Sequence, residues 1–418
     1  LTERENPSGS NYTLKWNPVF SFNAREMKYS AEYAGQCVDI DLPLFDATVK
    51  NQVASINDSR VRVGRSDFSL TGNVRQFGLW REGTGNLVAD LRFKSDYTDV
   101  DELMSMAAAY SKYMEDYGFT SADTVSTAQV QDADTSVFFS VSIPRDMDIA
   151  VEASIDSARI LKQDANGLRA NLYVNDGTAY VQDVEFNCDA ARMRLSAKLS
   201  APAKDGSPYV DSTYLGFNFR MEDVDVKKAV DIIPKVDSLM PMLRTFAGKV
   251  NLDLAYSAGY DSLYYVIPES LDASINVSGE NLVLIPTEIY DRISRFMLVK
   301  RNDNCIDSLF VEARWRDSSI VVYPFILSLN RCKVAVAGSN VIDSGGNLKE
   351  VDYHISMLRP LPVGVNLRGP LENLSCKLAR PKYKDSFTPV RRYEVKAQAA
   401  TIEEDIDAAV EMFLGVLR

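Results

Sequence analysis

Three stretches of this chain share one hydrophobic register, and that repetition narrows the folds open to it more than any other feature. Around Trp315-Arg316-Asp317-Ser318-Ser319-Ile320 an apolar run stops, turns and restarts; Trp315 is followed by Ile320 and Val322, then by Leu327 and Leu329. Upstream, Val174-Asn175-Asp176-Gly177 leads to Ala179 and Val181, then to Phe186 and Cys188. Ile56-Asn57-Asp58-Ser59 leads in the same way to Val61 and Val63, then to Phe68 and Leu70. Asn, Asp, Gly and Ser between alternating runs mark a hairpin, because they tolerate positive φ or bond their own backbone. Three copies predict a repeat protein built from β-units.

Composition sets limits on partners. The 418 residues carry a net charge of −12, which excludes nucleic acid as a partner, since such binding rests on neutralising phosphates. No run reaches the ~18–20 apolar residues of a membrane-spanning helix. The chain starts at Leu1 without Met, signal peptide or anchor, so the reading is that an N-terminal segment has been removed. The cysteines (Cys37, Cys188, Cys305, Cys332, Cys376) show no CxxC spacing and read as small core hydrophobes. With His354 the only histidine, no metal site and no cofactor is expected.

Along the chain, residues 1–118 read as a β-repeat unit ending in a helix, with Leu103, Met106, Ala107, Tyr110, Met114 and Tyr117 on one face. Residues 119–136, rich in Ser, Thr, Ala, Asp and Gln, read as a linker. Strands resume in 137–383, broken by helical stretches at 229–243 and 287–299. Residues 384–418 form a basic tail and a terminal amphipathic helix, with Thr401 and Glu404 at capping-box spacing. The first two units hand over from strand to helix through Asp-Val-Asp, at Asp99-Val100-Asp101 and Asp223-Val224-Asp225.

Candidate chemistry is sparse. The pairs Asp39/Asp41, Asp99/Asp101 and Asp223/Asp225 suit metal or acid–base work; at a helix start the carboxylate instead satisfies free N–H groups and the dipole. His354 lies in an alternating strand with no nucleophile motif beside it and reads as a surface or edge residue. No GxGxxG, P-loop or GxSxG motif occurs, and no catalytic residue is assigned. Residues 377–396 hold seven Lys/Arg against two acids; Arg380, Lys382, Lys384, Arg391 and Arg392 are candidates for lipid head groups or an acidic partner.

Each strand is apolar on one side only. That side either packs as a closed core or lines a curled groove where acyl chains lie, each buried CH₂ contributing ~0.8 kcal/mol. The groove candidates are Val61, Val63, Phe68, Leu70, Val181, Phe186, Ile320, Val322, Leu327 and Leu329. Val322→Glu is expected to abolish lipid binding while the chain stays β-rich; unfolding marks the site as plain core.

Several segments carry a family resemblance: Ile143-Pro144-Arg145-Asp146-Met147-Asp148, the Val174–Gly177 hairpin, Asp223-Val224-Asp225, Gly279-Glu280-Asn281-Leu282-Val283-Leu284, Pro324-Phe325-Ile326-Leu327 and Val334-Ala335-Val336-Ala337-Gly338. In order and spacing, residues 141–380 resemble the C-terminal region of AsmA-like proteins, and 12–118 looks like a further repeat. The resemblance implies a periplasmic protein anchored in the inner membrane by an N-terminal helix absent from this chain. It implies a non-enzymatic bridge-like β-groove that passes phospholipid between membranes in support of outer-membrane assembly, with envelope assembly proteins as further partners. The alternative is a scaffold that carries no lipid. The expected fold is mainly β: an elongated repeat array of curled antiparallel sheet with a few helices capping or covering it.

Overall fold

The computed structural model describes residues 2–4, 13–15, 19–33, 35–51, 53–116, 143–160, 162–188, 191–200, 213–226, 228, 246–261, 266–285, 305–329, 332–343, 347–359, 362–370, 373–382 and 390–417. The protein is mainly β, its strands forming curled sheet that is not closed into a barrel. It divides into two compact units, residues 1–126, 142–182 and 410–418 against 127–141 and 183–409. The expected linker and the helices at 229–243 and 287–299 fall outside the described residues.

In the first unit β1 (Thr2–Arg4) and β2 (Thr13–Lys15) make a small separate pair. The main sheet follows as β3 (Val19–Tyr33), β4 (Gln36–Lys50), β5 (Val53–Val63), β6 (Ser66–Arg75), the short helix α1 (Phe77–Arg81), β7 (Leu87–Asp99), α2 (Val100–Asp116), β8 (Met147–Ile160) and β9 (Gln163–Asn175). Neighbours pair antiparallel except β7 and β8, which run parallel. This corrects the expectation of a wholly antiparallel sheet. Parallel neighbours need a long crossover, and α2 forms its first part. The division between units falls within β10 (Thr178–Cys188).

The second unit holds β11 (Arg192–Ser200), β12 (Thr213–Asp225), the two-residue β13 (Phe246–Ala247), β14 (Lys249–Tyr260), β15 (Asp272–Leu284), β16 (Cys305–Arg316), β17 (Ser319–Leu329), β18 (Cys332–Ile342), β19 (Leu348–Arg359), β20 (Val363–Gly369) and β21 (Ser375–Ala379). Helix α3 (Glu394–Leu417) ends the chain. Among the described residues β3 pairs only with β4 and β21 only with β20, so both are free edges.

Bulges bend the strands. Register shifts between Asp41 and Leu44, Ile56 and Ser59, Met221 and Val224, and Val322 and Phe325 each place extra residues on one strand, which raises local twist. Two of the three repeated turns are hairpins, at Asp176-Gly177 and Asp317-Ser318. The third is corrected: Asn57-Asp58 lies inside β5 at a bulge, and the chain turns at Gly64-Arg65 instead. The same residue types serve both purposes, because a bulge and a turn both need non-extended backbone.

Asp99 caps α2, its Oδ1 accepting the Glu102 amide at 2.9 Å while Oδ2 meets Arg65 at 2.8 Å. Asp223 is no cap: it sits at positive φ in the β12 bulge, its amide donating to Asn251 Oδ1. The capping box at Thr401 is also corrected, since α3 begins at Glu394. Thr401 lies mid-helix and its hydroxyl donates to the Ala397 carbonyl, one turn back.

Candidate functional site

In the first unit, strand register assembles the apolar side chains into continuous rows. Phe22, Ala47, Ile56, Gly72, Leu91, Val151 and Leu172 lie opposite one another on seven successive strands, β3 to β9. The adjacent row on the same face is Phe20, Val49, Ala54, Val74, Ala89, Ile149 and Val174. Only Ala89 of these fourteen is buried, at 4 % exposure, while Phe20 and Phe22 stand at 58 % and 60 %. The others are half-buried. The alternate positions include the polar ladder Thr48, Ser55, Asn73 and Asp90, where Ser55 Oγ donates to Asn73 Oδ1 at 2.8 Å.

Val61, Phe68 and Leu70 extend this apolar face, and Phe68 meets Phe93 with ring centroids 5.2 Å apart. Val63 lies beside them at the end of β5, opposite Ser66, and all four are half-buried. Helix α2 touches three neighbouring turns: Asp101 accepts the Lys162 amide, Glu102 accepts the Arg65 amide, and Ser105 bonds Gln36.

The same alternation in the second unit makes a packed interior. Ile320, Val322 and Leu327, each 6 % exposed, belong to one cluster with Met221, Leu252, Val277 and Met357. The bulge at Tyr323-Pro324 is what keeps Val322 and Leu327 on one face, although an odd number of positions separates them. Leu329 pairs with Ile306 and Cys332, and its side chain lies outside the described residues. In β10, Asp183 at positive φ shifts the phase between Val181, which is half-buried, and Phe186, which packs on the second unit's cluster.

The opposite face of the second unit is polar where α3 lies on it. Asn218 donates to Glu403 at 2.6 Å, Ser274 to Gln398 at 2.7 Å, and Tyr323 to Glu394 at 2.7 Å. Gly216, Ala255 and Ser274 are buried on this face, and their small size lets the helix approach closely. Arg314 bridges Asp272 at 2.7 Å and Glu394 at 3.0 Å, and Arg316 reaches Asp272 at 2.9 Å. Desolvation alone pushes the Asp272 carboxyl up, but the hydrogen bonds from Arg314 and Arg316 outweigh it and hold it below the usual range. A depressed carboxyl stabilises the fold above its unfolded pKa, and that contribution is lost as pH falls through the folded one. On acidification from about pH 5 to about pH 3, the wild type is therefore expected to lose more thermal stability than Asp272→Asn. Parallel losses in a melting series against pH count against this role for Asp272.

The basic segment divides. Arg380 and Lys382 are exposed, and Lys384 lies outside the described residues. Arg391 rests on the Phe310 ring at 4.5 Å and Arg392 on Tyr323 at 4.7 Å, while the Arg392 amide donates to buried Glu312 at 2.7 Å. A cleft of about 490 Å³ beside Arg391 is lined by Asp223, Lys249, Asn251, Glu280 and Phe310. Its charges of both signs make it unlike an acyl-chain site.

Two further expectations are corrected. His354 is 6 % exposed on an inner strand, Nδ1 at 2.6 Å from Asn366 Oδ1 and Nε2 at 2.9 Å from Ser356 Oγ. Ser356 is 0 % exposed, so this group is inaccessible to substrate. Cys37 is exposed instead of buried, its Sγ 3.5 Å from Asp39 Oδ1. Among the described residues no helix is long and apolar enough to cross a membrane. Comparisons with known protein families, curated proteins and solved structures give no match.

Proposed function

We propose that this protein binds phospholipid without enzymatic chemistry, laying acyl chains along the apolar face of the first unit as a β-groove. The observation that carries this reading is the seven-strand apolar surface left half-exposed there, when the equivalent surface of the second unit is packed shut. Covering that surface with an acyl chain removes it from water at about 25 cal/mol per Å², and α2 then closes one end of the groove. Following the AsmA-like resemblance, the full-length protein works in the periplasm from an inner-membrane anchor, passing lipid in support of outer-membrane biogenesis. Arg380 and Lys382 are exposed, and in this reading they are the candidates for contact with anionic head groups or an acidic partner.

A second reading, a scaffold that binds envelope assembly proteins, draws on β3. This strand of 15 residues has an unpaired edge among the described residues and exposes Val19, Phe20 and Phe22. Free edges template strand addition. Native mass spectrometry of gently purified protein, with lipid extraction of the same sample, separates the readings. Phospholipid in defined stoichiometry is the expected result. A bare protein mass, also after incubation with phospholipid vesicles, favours the scaffold.

A further inference from the structure

Strand β3 is a long free edge of the first unit, and its sequence is complementary to itself. Among the described residues it pairs only with β4. Edge strands are commonly kept short, charged or covered, because their unpaired N–H and C=O groups recruit another strand. The free edge β21 of the second unit is short, with five residues that include Lys377. β3 instead runs for 15 residues, and Val19, Phe20, Phe22, Met27 and Tyr29 are each more than half exposed. Elsewhere among the described residues, only Leu378 and Met412 are large apolar side chains exposed to that degree.

The apolar residues of β3 change phase at Glu26, which sits at φ +55°. Before it, Phe20, Phe22 and Ala24 hold the apolar face at even positions, Ala24 lying opposite Phe45. After it the face passes to odd positions. Tyr29 lies opposite Ile40 and, one strand further, Val63, with Met27 and Ala31 to either side. Directly opposite residues of an antiparallel pair share a face. A second β3 laid antiparallel with Arg25 opposite Glu26 sets Phe20 opposite Ala31, Phe22 opposite Tyr29 and Ala24 opposite Met27. Each pair occurs twice, because such a pairing is two-fold symmetric. Sliding one copy by two residues keeps apolar against apolar but sets Arg25 against Lys28 in one direction and against Ala24 in the other. Opposite charge therefore selects the register. Neither Arg25 nor Glu26 has an ion-pair partner among the described residues; Arg25 Nε donates to Asn23 Oδ1 at 3.1 Å. With Arg25 and Lys28 against Glu26 and Glu32, the strand is neutral in a chain of net charge −12, so two copies meet here without local repulsion.

We propose that the chain forms a two-fold dimer through this edge, β3 of one copy pairing antiparallel with β3 of a second about a dyad between Arg25 and Glu26. The pairing uses up both β3 edges, so it closes at two copies. It sets the apolar faces of the two first units side by side as one surface. The phospholipid reading does not depend on it. It gives a second copy of this chain the edge that the scaffold reading gives to another protein.

Sedimentation equilibrium of the full chain, from low to high micromolar concentration, tests this with a charge swap. The wild type is expected to reach twice the chain mass. Arg25→Glu and Glu26→Arg each bring like charges together twice across the dyad, and each is expected to weaken dimerisation about tenfold. The double variant restores the pair with its signs exchanged and is expected to recover the wild-type constant. Both positions are exposed, so the exchange leaves the interior untouched. Hydrogen exchange supplies a second readout: β3 amides gain protection as concentration rises, and β21 amides do not. If a variant misfolds, the wild-type exchange series decides alone. A wild type that stays monomeric throughout overturns the proposal and leaves the edge to the scaffold reading. A dimer unmoved by either single variant, single losses that the double variant fails to recover, or β3 amides indifferent to concentration overturn it as well.

Discussion

Leu91→Glu is expected to leave the first unit folded and to strip phospholipid from the purified protein, whereas Val322→Glu is expected to unfold the second unit. Leu91 lies in the middle of the seven-strand apolar row and is half-buried, so a glutamate there can turn its carboxylate to water. A charge in the path of an acyl chain must be desolvated when the lipid arrives, which costs several kcal/mol and removes binding. Val322 is 6 % exposed among Ala313, Gly338 and Phe325, where a carboxylate has neither water nor partner. The fold then carries that same penalty outright, a large share of a typical 5–15 kcal/mol stability. The expectation from sequence, that Val322→Glu keeps its fold and loses lipid, therefore moves to Leu91. Urea unfolding and lipid extraction of both variants decide it. Phospholipid retained at full stoichiometry by a folded Leu91→Glu would remove the first unit's face as the binding surface.

The second large effect is expected at Gly338. Its backbone is ordinary extended strand, so only space restricts it. A methyl group there would overlap the edge of the Tyr353 ring and stand 2.6 Å from the Asp352 carbonyl oxygen. One of these is backbone of the paired strand β19, which cannot swing away as a flexible side chain does. Gly338→Ala is expected to cost about 3 kcal/mol, read as a lowered urea midpoint. Gly35→Ala provides the contrast: nothing lies within 4 Å of its added carbon, but φ is +81°. Its expected cost is about 1 kcal/mol, from backbone conformation alone. A wild-type midpoint for Gly338→Ala means that β18 and β19 can separate there at no cost.

Those two positions also show where reading the chain by itself stops. The sequence determined the β class, because side-chain period 2 over many short runs excludes a helical fold. It determined α2, where the apolar stripe starts after the Asp99 cap, and it determined the turns at Asp176 and Asp317, which are local chemistry. It placed Val61, Phe68 and Leu70 on one face for the same reason. Bulges escaped it: Asn57-Asp58 looks like a turn, and Tyr323-Pro324 breaks the phase between Val322 and Leu327. Nothing in the local run distinguishes an extra residue in a strand from the end of one. The parallel β7–β8 pair and the burial of His354 escaped it too, since both depend on which distant strand lies alongside. The contrast between Leu91 and Val322 belongs entirely to tertiary structure. Both are apolar residues in alternating strands, and only the number of side chains brought over each one separates an open surface from a closed core.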